Sequence, residues 1–266
     1  MLVLTNDEAQ AVGSETDSKA PDDGVSILAN APNHFLKSLP PTSARMLQPF
    51  LTLVNHRSGT ILSKTGQVVD RIYFPYSGIV SYTVAFSTGE VVEAGMIGYN
   101  SVVGTSALLV DCQFTNDAIV QVNMRGAAVE VGKFKQLLAE GHAVRDSLAL
   151  HEDMMLAQAQ QIAACNAVHD LDQRLSRWLL QARDLLESDL MPLTQELLAQ
   201  MLGVHRSSVT LVARRLQEAG LIDYHHGKIQ ILDADGLREV SCECYAALNA
   251  HFHRIIGWNP DRHWAR

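Results

Sequence analysis

Side chains able to read a nucleic-acid groove are concentrated between Val204 and Gln217, a stretch without a single carboxylate. At helical spacing its outward positions are His205, Arg206, Ser207, Thr210, Leu211 and Arg214. An arginine at the start of such a helix can offer its guanidinium fork to O6 and N7 of guanine. Ser207 and Thr210 can exchange hydrogen bonds with several bases, and Leu211 offers apolar contact to a thymine methyl. Arg206, Ser207, Thr210 and Leu211 are therefore the candidate base-reading residues. Thr194, Gln195, His205, Ser208, Arg214 and Lys228 suit phosphates, contacts that position a helix but specify little. A helical hairpin with solvent-facing arginines would show the same residue types, so the flanking elements decide.

Those elements are legible. Thr194 can cap a helix, and Glu196 in its first turn suits the helix dipole. Leu197, Leu198, Met201 and Leu202 supply the buried face, and Gly203 can take the positive φ of a tight turn. Val204 and Val209 plug the corner, while Val212 and Leu216 continue the buried face of the second helix. Counted from Gln195, Ala199, Gly203 and Val209 fall at the fifth, ninth and fifteenth positions, the spacing of a DNA-binding helix-turn-helix. Downstream, Gly220–Leu232 reads as a two-stranded wing with a His226-Gly227-Lys228 turn.

Other reactive side chains are scattered. Cys165 and His169 lie four apart and could share a helical face as metal ligands, but a packed thiol beside a hinge histidine is the simpler reading. The two-residue spacing of Cys242 and Cys244 is weak evidence for a redox pair. His251 and His253 read as a tail, and no metal site is expected. An enzyme built on a β-barrel would need a compact metal cluster, for which the barrel region offers only His56, Glu90 and Glu93. Catalysis is not expected.

Further back along the chain, residues 33–54 form short helices broken at Pro40-Pro41. Between about Val54 and Val131, recurrent glycines separate short β-rich runs, the pattern of a small barrel or jelly roll. Ser87-Thr-Gly-Glu would turn a hairpin within it. Residues 141–168 contain no proline. There Val144, Leu148, Met155, Ala159 and Ile162 form one stripe close to a heptad seam, suited to pairing with a second copy. A second stripe, Leu150, Met154, Ala157 and Ala164, would pack on the barrel. Asp170 caps the next helix. The expected organisation is a flexible acidic tail at 1–30, a sensor barrel at 31–140, a dimerisation helix and hinge at 141–169, and a winged helix-turn-helix with C-terminal extension at 170–266.

Composition adds limits. The net charge of −8 argues at first sight against nucleic acid. Six acidic residues against Lys19 in the first thirty positions account for much of it. No basic region followed by an apolar run opens the chain, and the longest uncharged stretch, Ile72–Gly89, alternates like strands rather than forming a membrane span. Four cysteines in a chain of this kind read as reduced thiols. A cytoplasmic protein without membrane contact is expected.

The chain resembles the Crp/Fnr regulators over about residues 33–245. The likeness rests on Ile72-Tyr-Phe-Pro-Tyr-Ser-Gly-Ile-Val-Ser, Cys165-Asn-Ala-Val-His, Arg174-Leu-Ser-Arg-Trp-Leu-Leu and Leu193-Thr-Gln-Glu. It continues through Gly220-Leu-Ile, Ile231-Leu-Asp and Cys242-Glu-Cys-Tyr. The resemblance implies an α+β chain: an N-terminal β-roll like cyclic-nucleotide-binding domains, a long dimerisation helix and a C-terminal winged helix-turn-helix. It also implies a homodimeric transcription regulator whose partners are double-stranded DNA, a second copy and RNA polymerase. The alternative is a ligand-binding β-roll protein with a degenerate helix-turn-helix.

Two effector signatures of the family are missing. Cyclic-nucleotide binders carry a Gly-Glu pair and then Arg-Ser to hold the phosphate. Here Gly98 is followed by Tyr99, and no arginine lies between Arg71 and Arg125. A buried phosphate without a cation would be costly, so no cyclic-AMP response and no cofactor are expected, an unknown effector remaining open. Clustered N-terminal thiolates for an iron-sulfur centre are absent too, since the first cysteine is Cys112. The recognition helix also departs from the best-known members at Ser207 and Leu211, which implies a different half-site.

Overall fold

The structure is a computed structural model describing residues 31–109, 114 and 116–257. The acidic segment 1–30, Cys112 and the last part of the C-terminal extension lie outside the described residues.

Asn33, near the start of the described residues, does two jobs. Its Oδ1 accepts from the Leu36 amide to cap α1 (His34–Ser38), and its Nδ2 donates to the carbonyls of Pro75 and Ser101 at 3.0 and 2.7 Å. After α2 (Pro41–Leu47) the chain enters an antiparallel sheet. Its strands are β1 (Thr52–His56), β2 (Ile61–Ser63), β3 (Arg71–Ala85), β4 (Val91–Ile97) and, after α3 (Ser106–Leu109), β5 (Asp117–Glu130). The order is β1-β5-β3-β4, with β2 also on β5. β3 and β5 are long, and their register shifts near Ser77 and Ile79 break the ladder and bend it. That curvature closes the sheet into a roll, with Val80, Ile97, Val120 and Met124 buried together. The 86–90 hairpin turn falls where the glycine pattern places it: the Phe86 amide donates to the Glu90 carbonyl at 2.9 Å.

α4 (Val131–Glu140) and the long α5 (His142–Val168) follow. Phe35, Phe74 and Phe134 meet with ring centroids 6.0 to 6.2 Å apart and pin the helices to the sheet. The C-terminal half comprises α6 (Leu171–Leu186), β6 (Leu190–Met191), α7 (Gln195–Leu202) and α8 (Arg206–Glu218). It ends with β7 (Ile222–His225), β8 (Lys228–Ile231), α9 (Ala234–Val240) and α10 (Cys244–Ile256). The wing gains a third strand, in the order β6-β8-β7. Its tight turn places both His226 (φ 49°) and Gly227 (φ 74°) in the left-handed region, the geometry that matches strand twist in a two-residue hairpin.

The two halves share one core. Ile79, Met96 and Tyr99 of the roll pack with Trp178, Leu179, Leu185, Val209 and Leu216 of the C-terminal half. At the seam the Trp178 indole N–H donates to Glu93 Oε1 at 2.9 Å, and the Ser81 hydroxyl bonds the other carboxylate oxygen. Both Glu93 and Trp178 are buried. Desolvation raises the Glu93 pKa above the usual carboxylate value.

α5 requires a correction. Val144, Leu148 and Ile162 are buried within their own chain, Met155 packs against the roll and Ala159 is half-buried. The same face carries His151, hydrogen-bonded to Ser101, and Gln158, which accepts from the Met96 amide at 2.9 Å and donates to its carbonyl at 3.2 Å. The stripe expected to pair with a second copy is thus the inward face. Of the stripe expected to pack on the barrel, Met154 is buried, whereas Leu150 is 46% exposed and Ala164 is exposed. Apolar residues occur all round this helix, so spacing alone could not choose the face that meets the roll. α10 is also more than a tail: it packs along α5, and His251 pairs with Asp153 at 3.3 Å.

Candidate nucleic-acid interface

The first helix of the motif starts as its sequence dictates. Thr194 Oγ1 accepts from the Leu197 amide, and Leu198, Ala199, Met201 and Leu202 are buried. Gly203 ends it at φ 63°, its N–H returning to the carbonyls of Ala199 and Gln200. α8 then begins after His205. Val209, Val212, Ala213 and Leu216 form its buried face, with Val204 packed against the same core.

The opposite face is open. His205, Arg206, Ser207, Thr210, Leu211 and Arg214 are exposed and Ser208 is half-buried. Leu211 is an exposed apolar side chain at 57%, unusual on a helix whose other large apolar residues are buried. Two of these side chains are engaged within the motif. Thr210 Oγ1 donates to Gln195 Oε1 at 2.6 Å, tying the two helices together, and Arg214 pairs with Glu218 at 2.8 Å. The wing lies alongside. The Tyr224 hydroxyl accepts from the Gln195 amide at 3.3 Å, and a Cβ on Gly227 would sit 3.5 Å from Thr194 Cγ2. Thr194, Gln195 and the Lys228 turn therefore form one continuous edge beside the α8 face.

Some supporting residues carried no signal in the pattern. Arg215 forms a two-pronged pair with Asp172 and fixes α8 on α6. Arg174 donates to the Leu202 carbonyl, one of the last of α7. From the roll, Val92 reaches the helix-turn-helix corner, where its Cγ2 would lie 3.0 Å from a Cβ on Gly203. Glu90 stands near the start of α8. Its pKa is lowered chiefly by a Thr88 side-chain hydrogen bond and by its own backbone, with His205 adding a smaller pull.

The barrel residues considered for catalysis have other roles. Glu93 holds Trp178, while His56 packs edge-on against Tyr73 with centroids 5.7 Å apart. Among the described residues, the group of His, Cys, Asp and Glu side chains with metal-ligand geometry is Cys165, His169, Cys242 and Cys244. There the hydrogen bond from Cys242 holds the Cys165 thiol well below its ordinary range.

Comparison with known proteins agrees with this geometry. Residues 173–240 match the Crp-like helix-turn-helix domain family. No curated protein matches the chain by sequence. Solved structures share the fold at low identity. FixK2 from Bradyrhizobium japonicum has 15% identity, covering 72% of this chain and 98% of that one, with a TM-score of 0.63. TTHA1359, a Crp/Fnr-family transcriptional regulator from Thermus thermophilus, has 23% identity over 71% and 98% of the two chains, with a TM-score of 0.61. CLP, the c-di-GMP-responsive regulator from Xanthomonas campestris, has 16% identity over 72% and 99%, with a TM-score of 0.61. The chain therefore carries a Crp-like helix-turn-helix domain on a Crp/Fnr-type fold, the architecture of a DNA-binding transcription regulator. Among the described residues no helix is long and apolar enough to cross a membrane.

Proposed function

We propose that the protein reads DNA sequence-specifically as a homodimer on a two-fold-symmetric site, with α8 of each copy in a major groove. The observation that carries this is the exposed face of α8, free of carboxylates as far as Gln217, headed by the exposed Arg206 and flanked by the wing. Arg206, Ser207, Thr210 and Leu211 meet base edges. Thr194, Gln195, His205, Ser208, Arg214 and Lys228 meet phosphates. The bond between Thr210 and Gln195 holds the Thr210 side chain at the groove end of the motif. Its binding to promoters would act through RNA polymerase in the cytoplasm, and no catalytic step is involved.

The second copy docks on the outer face of α5. Ala149, Leu156 and Ala163 lie seven apart on that face and are exposed, Leu156 at 57%. That repeat is the spacing of a coiled-coil seam, on the side opposite to the buried stripe. Half-sites would then lie about one helical turn, roughly 34 Å, apart.

The roll works without a cyclic nucleotide. The Tyr82 hydroxyl accepts the Gly104 amide at 3.0 Å, and Phe114 packs on the Tyr82 ring. These contacts, with no arginine between Arg71 and Arg125, support this reading. Calorimetry with cyclic AMP should show no specific heat, and tight saturable binding would overturn this reading. The protein is either constitutively active or tuned by another signal.

Replacing Arg206 by Ala should weaken specific binding by about 1–3 kcal/mol, roughly 5- to 150-fold, and relax one base position. Fluorescence anisotropy on cognate and scrambled duplexes measures both. An equal loss on the two duplexes would make Arg206 a phosphate contact and defeat the base-reading assignment.

A further inference from the structure

Where α5 ends and α10 begins, four side chains converge that the DNA-binding reading does not use. Cys165 sits in the last turn of α5, and His169 caps that helix. Cys242 and Cys244 flank the start of α10. Their ligand atoms all lie within 4.8 Å of one another. Cys165 Sγ is 3.6 Å from Cys242 Sγ, and Cys244 Sγ is 3.6 Å from His169 Nδ1.

These separations have a chemical meaning. Zinc binds thiolate sulfur at about 2.3 Å and imidazole nitrogen at about 2.0–2.1 Å in a tetrahedron. The edges of that tetrahedron are therefore ~3.8 Å between sulfurs and ~3.5 Å between sulfur and nitrogen. The two measured contacts already match those edges. Closing the remaining separations needs side-chain movements of about an ångström or less.

The surroundings complete the case. His169 presents Nδ1 to the sulfurs, while its Nε2 faces the Glu243 carboxylate at 3.3 Å. A carboxylate on the far ring nitrogen is the usual support for a metal-bound imidazole, since it fixes the tautomer. Gln161 Nε2 donates to Cys244 Sγ at 3.0 Å. The guanidinium of the buried Arg177 lies against Cys165, a cation suited to the net −1 charge of three thiolates, one imidazole and a divalent ion. The three cysteines are buried, whereas Glu243 is 80% exposed on its side chain, leaving a route from solvent.

We propose that Cys165, His169, Cys242 and Cys244 form a closed, four-ligand zinc site that clamps the end of the long helix to the start of the C-terminal helix. Three sulfur ligands with one nitrogen favour zinc over hard cations such as magnesium or calcium. Four protein ligands leave no open position for substrate, so the ion is structural. All three cysteines bind as thiolates, so zinc uptake releases the protons that their thiols still carry. The clamp spans the hinge before α6, the point through which any movement of α5 would reach the helix-turn-helix.

The test uses the full chain and needs no DNA. Elemental analysis after incubation with zinc and desalting should give one zinc per chain. Replacement with cobalt should give thiolate-to-metal charge-transfer bands and the strong visible bands of a tetrahedral ion. Cys165→Ser and Cys242→Ser should each abolish stoichiometric binding. His169→Cys should keep one metal per chain with an altered cobalt spectrum, an outcome that incidental thiol contact would not produce. If a serine variant fails to fold, titrating the Cys112→Ser protein, which keeps only the three site cysteines, with a thiol reagent should release one zinc for every three thiols consumed. The proposal is overturned by folded wild-type protein holding less than about a tenth of a zinc, by a weak octahedral cobalt spectrum, or by zinc release unconnected to thiol consumption.

Discussion

The bond between Trp178 and Glu93 joins the roll to the DNA-binding half, and its removal has a calculable cost. Trp178→Phe leaves Glu93 Oε1 without the donor now 2.9 Å away. Orphaning a buried polar group costs about 1–3 kcal/mol. Paring the indole to a phenyl ring at a site 1% exposed adds about 1 kcal/mol of cavity. The sum, about 2–4 kcal/mol, corresponds to a fall in Tm of roughly 4–16 °C for a chain of this size. Glu93→Gln is the complementary change: its amide oxygen still accepts from the indole and its NH2 can donate to Ser81. Because burial raises the Glu93 pKa, the folded state keeps this proton to higher pH than the unfolded chain does. The associated stability is complete below about pH 4.3, the ordinary glutamate value, and is lost as pH rises through the raised one. Glu93→Gln should therefore gain on the wild type as pH climbs from about 4 through the raised value, and then hold a constant lead. In the Glu93→Gln background, Trp178→Phe should cost less. Urea unfolding of the four proteins across pH gives the cycle. Additive costs within about 0.5 kcal/mol, together with a difference between wild type and Glu93→Gln that does not change with pH, would refute the reasoning.

Four further outcomes follow from the same packing. Gly203→Ala forces a Cβ into the left-handed region against Val92 and should cost about 1–2 kcal/mol, seen as a lower Tm. Burial pushes the His151 pKa down to about 3, so the folded protein keeps this ring neutral while the unfolded chain protonates near about pH 6.5. Its contribution is present above about pH 6.5 and lost below it, by up to about 1.4 kcal/mol per pH unit. His151→Leu should flatten the fall in urea midpoint between about pH 7 and 5, and an unchanged slope would place the acid sensitivity elsewhere. Leu156→Lys, on the outer face of α5, should convert a dimer to a monomer in light scattering. Leu148→Ala, on the inner face, should lose about 2–5 kcal/mol of stability without changing the mass.

What the sequence disclosed and what it hid divide along the range of the interactions. The helix-turn-helix was legible because its determinants are local: a cap at Thr194, a left-handed turn at Gly203 and a plug at Val209 all lie within sixteen residues. The wing turn and the 86–90 hairpin are local as well. The orientation of α5 was not legible, because Leu148 inside and Leu156 outside differ only in what they meet. Trp178 and Glu93 are 85 positions apart, and Cys165 and Cys242 are 77 apart. The separate pairs, Cys165 with His169 and Cys242 with Cys244, were visible as weak spacings. Only the docking of α10 on α5 makes one site of them.

Selection of binding sites from random duplex DNA, with purified full-length protein and no added effector, tests the central claim most directly. The account predicts an enriched two-fold-symmetric site whose half-sites lie about one helical turn apart and share a guanine that Arg206→Ala no longer requires. No enrichment from a folded dimer, with only salt-dependent binding to every sequence, would contradict a reader competent without a ligand and leave either an effector-dependent regulator or a β-roll protein with a degenerate helix-turn-helix.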